Sequence, residues 1–77
     1  MSDSHQSVIL VYSTSHAIRL ESLLKSDRTS CRLIPVPRHL SSDCGVCVRF
    51  DDENRGVIDQ VLTSSGLEIQ GVVPISG

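Results

Sequence analysis

The chain has 77 residues, a net charge of −2 and an apolar content of 39%. A chain of this length forms one small domain with a thin core, which Val, Ile and Leu must supply because aromatic residues make up only 3%. The seven Lys and Arg residues are scattered along the sequence. A nucleic-acid module is therefore disfavoured, since that class needs stacking platforms and a basic surface.

No stretch approaches the roughly 20 apolar residues that a membrane span needs. The polar start, residues 1–6, is unlike a signal peptide. Three cysteines are an odd number, which disfavours the disulfide framework of a secreted domain. We therefore expect a cytoplasmic protein without membrane association, forming a single domain over residues 1–77 in which residues 1–6 are disordered.

The first half of the chain predicts a strand, a helix and a second strand. Val8–Tyr12 is a continuous apolar run, typical of a central strand. Ser13–Ser15 offer three candidate N-caps for a helix over residues 16–25, in which Glu21 and Lys25 form a favourable i,i+4 pair. Cys31–Val36 is the second strand, and its prolines predict a position at the edge of the sheet.

The second half predicts a strand, a helix and a final strand. In Gly45–Phe50 the alternation sets Cys47 and Arg49 on one face and the apolar residues on the other. Asp51 and Asp52 are candidate caps of a second helix that ends at Gly66. Leu67–Ile75 is the fourth strand, bent or bulged at Gly71 and closed by a proline.

The element order is therefore β-α-β-β-α-β, which predicts an α+β protein with a ferredoxin-like sandwich. In that topology a four-stranded antiparallel sheet carries both helices on one face. The other face is open to solvent, a ligand or a partner copy. Val8 and Leu10 make this second face partly apolar, so a homodimer is one expectation.

The polar loop between the second and third strands presents Cys44, followed by Gly45. Ser41, Ser42 and the glycine allow backbone N–H groups to approach the sulfur, and such donors stabilise a thiolate. Asp43 opposes this effect, whereas Arg38 and His39 at the start of the loop favour the thiolate. The pattern indicates a reactive or group-carrying thiol, with an ordinary loop cysteine as the alternative.

Cys44 and Cys47 match the C-x-x-C pattern of redox pairs. In an extended strand, however, residues three apart point to opposite faces with Cα atoms roughly 10 Å apart. A disulfide needs about 4.4–6.8 Å, so only a turn after Cys44 would close the bond. We therefore interpret Cys47 as a strand residue beside the site and keep a resolving thiol as the alternative.

A zinc site would have to gather Cys44, Cys47, His39 and Cys31. Structural zinc normally takes two paired knuckles, and this sequence has one. Cys31 instead alternates with Leu33 toward the core, where buried thiols are common. No catalytic constellation is visible either, so we expect no metal, no cofactor and no enzymatic activity.

Three segments carry a family resemblance. Arg32–Arg38, followed by Leu40-Ser41-Ser42 and Cys44-Gly45, resembles the Se/S carrier protein-like family of small bacterial domains. The segments around Tyr12–Ala17 and Ser65–Gly71 are also similar to that family, so the resemblance extends over residues 7–73. Cys31 and Cys47 depart from the family pattern.

The resemblance implies a carrier that holds sulfur or selenium on Cys44 as a persulfide or selenopersulfide. Donor and acceptor proteins would be its partners, and no nucleic acid is implied. Its motif neighbours are Pro37, Arg38, Ser41, Ser42 and Gly45. His39, which precedes the thiol in the loop, is a further candidate for loop support. Two alternatives stay open: a binding or regulatory module that uses the open sheet face, and a thiol redox switch through Cys44 and Cys47.

Overall fold

The computed structural model describes residues 5–40 and 45–75. Their elements, in chain order, are strand β1 (Gln6–Leu10), helix α1 (Thr14–Ser26), strand β2 (Cys31–Pro35), strand β3 (Val46–Asp51), a 3₁₀ turn (Asp52–Asn54), helix α2 (Arg55–Ser65) and strand β4 (Gly71–Pro74). The predicted β-α-β-β-α-β order is therefore confirmed.

The four strands form one antiparallel sheet in the order β2-β3-β1-β4. This is the order of the ferredoxin-like fold, with the first and third strands at the centre. Pro35 and Pro74 each lie in an edge strand, where a missing N–H removes no ladder hydrogen bond from the centre of the sheet.

The main core lies between the sheet and the two helices. Its buried members alternate along the central strands and repeat at helical spacing, so one strand face meets one stripe of each helix. They are Ile9, Val11, Ala17, Leu20, Leu24, Val48, Phe50 and Ile58. Phe50 is the only phenylalanine of the chain, so the core is almost wholly aliphatic, as the composition predicts.

Local backbone contacts define the ends of the helices. Ser13, one of the three predicted caps, accepts a hydrogen bond from the His16 N–H at 3.3 Å. Helix α1 ends without glycine, and Arg28 takes the left-handed conformation with φ 60°. Helix α2 ends at Gly66 with φ 68°, which confirms the predicted glycine stop.

The predicted capping role of Asp51 and Asp52 is wrong. Helix α2 begins only at Arg55, after the 3₁₀ turn, and Asp51 caps neither element with its side chain. Instead, the Asp51 carboxylate accepts from Gln6 Nε2 at 3.0 Å, and the Asp52 carboxylate accepts from the Ser7 hydroxyl. Both acids are drawn to β1 because the sheet register brings Gln6 opposite Asp51.

Strands β4 and β1 also differ at their ends from the predicted bounds. Strand β4 begins at Gly71 rather than Leu67, because only its last residues pair with β1. At the other end of the pairing, β1 begins at Gln6 and stops at Leu10, leaving Tyr12 exposed. The carbonyl of His5 accepts from the Asp52 N–H at 2.9 Å, so the described N-terminal residues belong to the fold.

Candidate functional site

The candidate site lies in the hairpin that joins β2 and β3. The Val36 N–H donates to the Gly45 carbonyl at 3.0 Å, one residue beyond the end of β2 and one before the start of β3. This bond closes the hairpin around residues 37–44. Ser41, Ser42 and Cys44 lie outside the described residues, and the chain is described again from Gly45.

The loop begins with a tight turn over Pro37–Leu40. The Leu40 N–H donates to the Pro37 carbonyl at 3.0 Å, so Arg38 and His39 occupy the middle of the turn. Both of these side chains are exposed, whereas Pro37 and Leu40 are half-buried. The turn therefore presents a guanidinium and an imidazole to solvent at the entry to the cysteine loop.

Leu40 anchors this loop on the sheet face that carries no helix. It packs against a second buried cluster, formed by Val8, Leu10 and Cys47. Val36 packs on the same cluster, as does Ile75, which follows β4. The face predicted to be open is thus covered at its centre by residues of the same chain.

Cys47 is a strand residue, as predicted. It pairs with Leu10 of β1 on one side and with Ile34 of β2 on the other. Its side chain has no exposed surface. Reaction of the Cys47 sulfur with an external thiol or oxidant would therefore require the residues that cover it to open.

Cys31 lies on the opposite face of the sheet, against the helices. Its Sγ donates to the Glu21 backbone carbonyl at 3.9 Å. Burial raises the pKa of the Cys31 thiol, the Glu21 carboxylate raises it further, and Lys25 partly offsets this by lowering it. The neutral thiol is therefore the form that this environment favours.

The four-ligand zinc alternative does not fit this arrangement. Cys31 packs with the helix-side core and Cys47 with the cluster on the other face, so the sheet separates the two sulfur atoms. Within residues 5–40 and 45–75, no three His, Cys, Asp or Glu side chains come together as metal ligands.

Although Gly45 is part of the sequence motif, its surroundings in the structure are ordinary. It is exposed, and a methyl group added there would meet no atom of residues 5–40 and 45–75 within 4 Å. The described surroundings consequently do not require glycine here. Any requirement must come from what approaches the loop.

The sequence did not predict that two arginines would meet. Arg32 of β2 lies directly opposite Arg49 of β3, on the same face as Cys47. The position at which the hairpin closes fixes which residues of β2 and β3 lie opposite each other. That position was not evident from the sequence. Both side chains line a groove of about 140 Å³ at the end of the sheet, together with Gln6 and Asp51.

Comparison with known family models shows which family the chain belongs to. The model of the family described as "Putative Se/S carrier protein-like" matches residues 6–74, from the first strand to the last. The chain belongs to this family. The match covers both strands of the hairpin and the loop between them.

A further similarity is to a curated protein of a different description. The large ribosomal subunit protein uL14c of Jasminum nudiflorum is 30% identical over 71 residues, which cover 92% of this chain. The alignment spans 58% of that relative's length. No solved structure matches the Se/S carrier-like chain. Within its described residues, neither helix has the length and apolar content needed to cross a membrane.

Proposed function

We propose that this protein carries sulfur or selenium on the Cys44 thiol, as a persulfide or selenopersulfide, and passes it between partner proteins. Membership of the Se/S carrier protein-like family is the observation that carries the proposal. Cys44 is the cysteine of the family motif, next to Gly45, which directly precedes β3. The cytoplasm, where thiols stay reduced, suits this chemistry.

The loading step is a thiol exchange without net oxidation. The Cys44 thiolate attacks the outer sulfur of a donor persulfide, and a new S–S bond forms on Cys44. The S–S bond of the donor breaks, and its electron pair leaves on the donor's thiolate. Unloading repeats the exchange, with a thiolate of the acceptor as the attacking group. Neither step needs a metal or an external oxidant.

The described part of the loop supplies charge suited to this cargo. A terminal sulfur or selenium carries negative charge, and exposed Arg38 and His39 lie on the turn that begins the loop. A nearby guanidinium favours the anionic form of a thiol or persulfide. Asp43 works in the opposite direction, so the balance within the loop sets the fraction of thiolate.

The two ends of the loop are held by the fold, which suits a carrier. The Val36–Gly45 hydrogen bond fixes the base of the hairpin, and Leu40 packs on the cluster that contains Cys47. A carrier requires little more than this, since the partner enzymes supply the catalytic groups.

Intact-mass analysis tests the proposal. The reduced full chain is incubated with a cysteine desulfurase and cysteine, and we expect the addition of one sulfur atom, mapped to Cys44. The variant Cys44→Ser should lose the labelled species, while Cys31→Ala and Cys47→Ala should keep it. Equal loading of Cys44→Ser and the parent protein would overturn the proposal.

The described residues give less support to the alternative functions. A redox switch needs an accessible Cys47, and that side chain is fully buried. A docking module on the open face would have to use a surface whose centre is already covered by Val36, Leu40 and Ile75. We do not extend a ribosomal role to this chain, because its net charge of −2 is unsuited to a phosphate backbone.

A further inference from the structure

Two arginines stand side by side on the helix-free face of the sheet. Arg32 and Arg49 are direct cross-strand partners, so their Cβ atoms lie about 4.5–5.5 Å apart. Alternation places both on this face, because Cys31 and Leu33 pack on the helix side while Ile34 and Cys47 pack with the other cluster. Arg49 is half-buried and Arg32 is exposed.

This pairing brings two like charges together, and no described acid forms an ion pair with either of them. Like charges directly opposite each other destabilise a sheet. Within residues 5–40 and 45–75, the ion pairs join Lys25 to Glu21 and Arg55 to Asp59, and neither Arg32 nor Arg49 takes part. Within these residues no acid is ion-paired to either guanidinium group, so their donors are open to a ligand.

The surroundings form a small groove rather than a flat surface. Gln6, Ser30 and Asp51 line it beside the two arginines. Among the described residues that line the groove, Asp51 is the one acid, and its carboxylate accepts a hydrogen bond from Gln6 Nε2 at 3.0 Å. The formal charge of this described lining is thus positive, and Ser30 adds a hydroxyl group to it.

We propose that this groove binds a small oxyanion, such as inorganic phosphate or sulfate, between the guanidinium groups of Arg32 and Arg49. Guanidinium forks bind such anions through paired, charge-assisted hydrogen bonds. An anion between the two arginines also removes the repulsion between them. Binding therefore adds negative charge between the two arginines, where Asp51 forms no ion pair with either of them.

The size of the groove limits the ligand to a small ion. Its volume is about 140 Å³. Pockets for larger organic ligands are about 300–1,000 Å³, so a nucleotide would not be enclosed here. The site is separate from the cargo thiol of the proposed function, because it uses no atom of Cys44.

Phosphate titration followed by NMR tests the proposal on the full chain. The Nε–H signals of Arg32 and Arg49 should shift with saturation as sodium phosphate is added. Sodium chloride at matched ionic strength should leave them in place. Arg32→Gln and Arg49→Gln should each weaken phosphate binding by about tenfold or more, since each removes charged hydrogen bonds.

The matched control is Arg19→Gln, which removes one positive charge from an exposed position on α1. It should bind phosphate as the parent does. Arg32→Lys keeps the charge but loses the fork, so it should bind with intermediate affinity. Equal weakening by Arg19→Gln, or shifts that follow ionic strength alone, would overturn the proposal.

Cys44→Ser separates this site from the carrier role. The variant should bind phosphate as the parent does even though it cannot be loaded with sulfur. In the parent protein, failure to load sulfur with phosphate binding intact would count against the carrier function alone. Absence of phosphate binding in a protein that still loads sulfur would refute only the oxyanion site.

Discussion

Val36 and Gly45 are joined by a hydrogen bond of 3.0 Å that closes the hairpin around the cysteine loop. The bond lies just outside the two strands, so the sheet ladder continues to the residue next to Cys44. Because it is made by backbone atoms, side-chain changes at either position leave its donor and acceptor in place.

Gly45→Ala should therefore fold and load sulfur much as the parent does. No atom of the described residues lies within 4 Å of an added methyl group, so a stability change of no more than about 0.5 kcal/mol is expected. Urea unfolding measures the stability of the variant, and intact-mass analysis measures its sulfur loading. Normal stability with lost loading would mean that a partner protein, rather than the fold, requires glycine here.

Gly66→Ala should lower stability, because Gly66 ends α2 in the left-handed conformation with φ 68°. We expect a loss of about 1 kcal/mol. Gly56→Ala is the matched control, since Gly56 lies within the same helix and an added methyl group would meet nothing. That change should raise stability by about 0.5–1 kcal/mol. Chemical unfolding curves that move in the same direction for both variants would contradict the account.

Cys31 should react slowly with alkylating reagents and need a high pH. Its thiol is neutral near pH 7, and burial raises its pKa above the ordinary value of 9.0. A raised pKa means that the contribution of the neutral thiol to stability is fully present below pH 9.0. It is lost as the pH rises through the higher value in the folded protein.

Peptide mapping after timed iodoacetamide treatment measures this reactivity across a pH series. The midpoint for Cys31 should lie above that of the same residue in the urea-unfolded chain. The free energies of unfolding of the parent and of Cys31→Ala should also approach or cross each other as the pH rises above 9.0. A midpoint below the unfolded value would show that Lys25 outweighs burial and Glu21.

The element order was predictable because its signals are local. The apolar run around Ile9, the helical spacing before Lys25 and the glycine after α2 each specify one element without reference to the rest. The edge positions of β2 and β4 were also predictable, since proline is excluded from the centre of a sheet. Local patterns of this kind determine the topology of a small α+β domain.

Features that depend on strand register were not predictable. Asp51 and Asp52 have the composition of helix caps, yet long-range pairing gives them partners on β1. Arg32 and Arg49 are far apart in the sequence and meet only because the hairpin closes at Val36 and Gly45. Cys44 was identified from the motif alone, and its placement stays a prediction.

The order of synthesis conflicts with the position of β1 in the sheet. β1 is made first, yet it lies between β3 and β4, and β4 ends only at Pro74. One edge of its apolar segment, Val8–Val11, can pair once β3 is made, but the other edge must remain unpaired until β4 is made. An exposed aliphatic segment of this kind invites aggregation or chaperone binding. Yield in cells should then depend on how fast translation reaches β4 as well as on the stability of the finished fold.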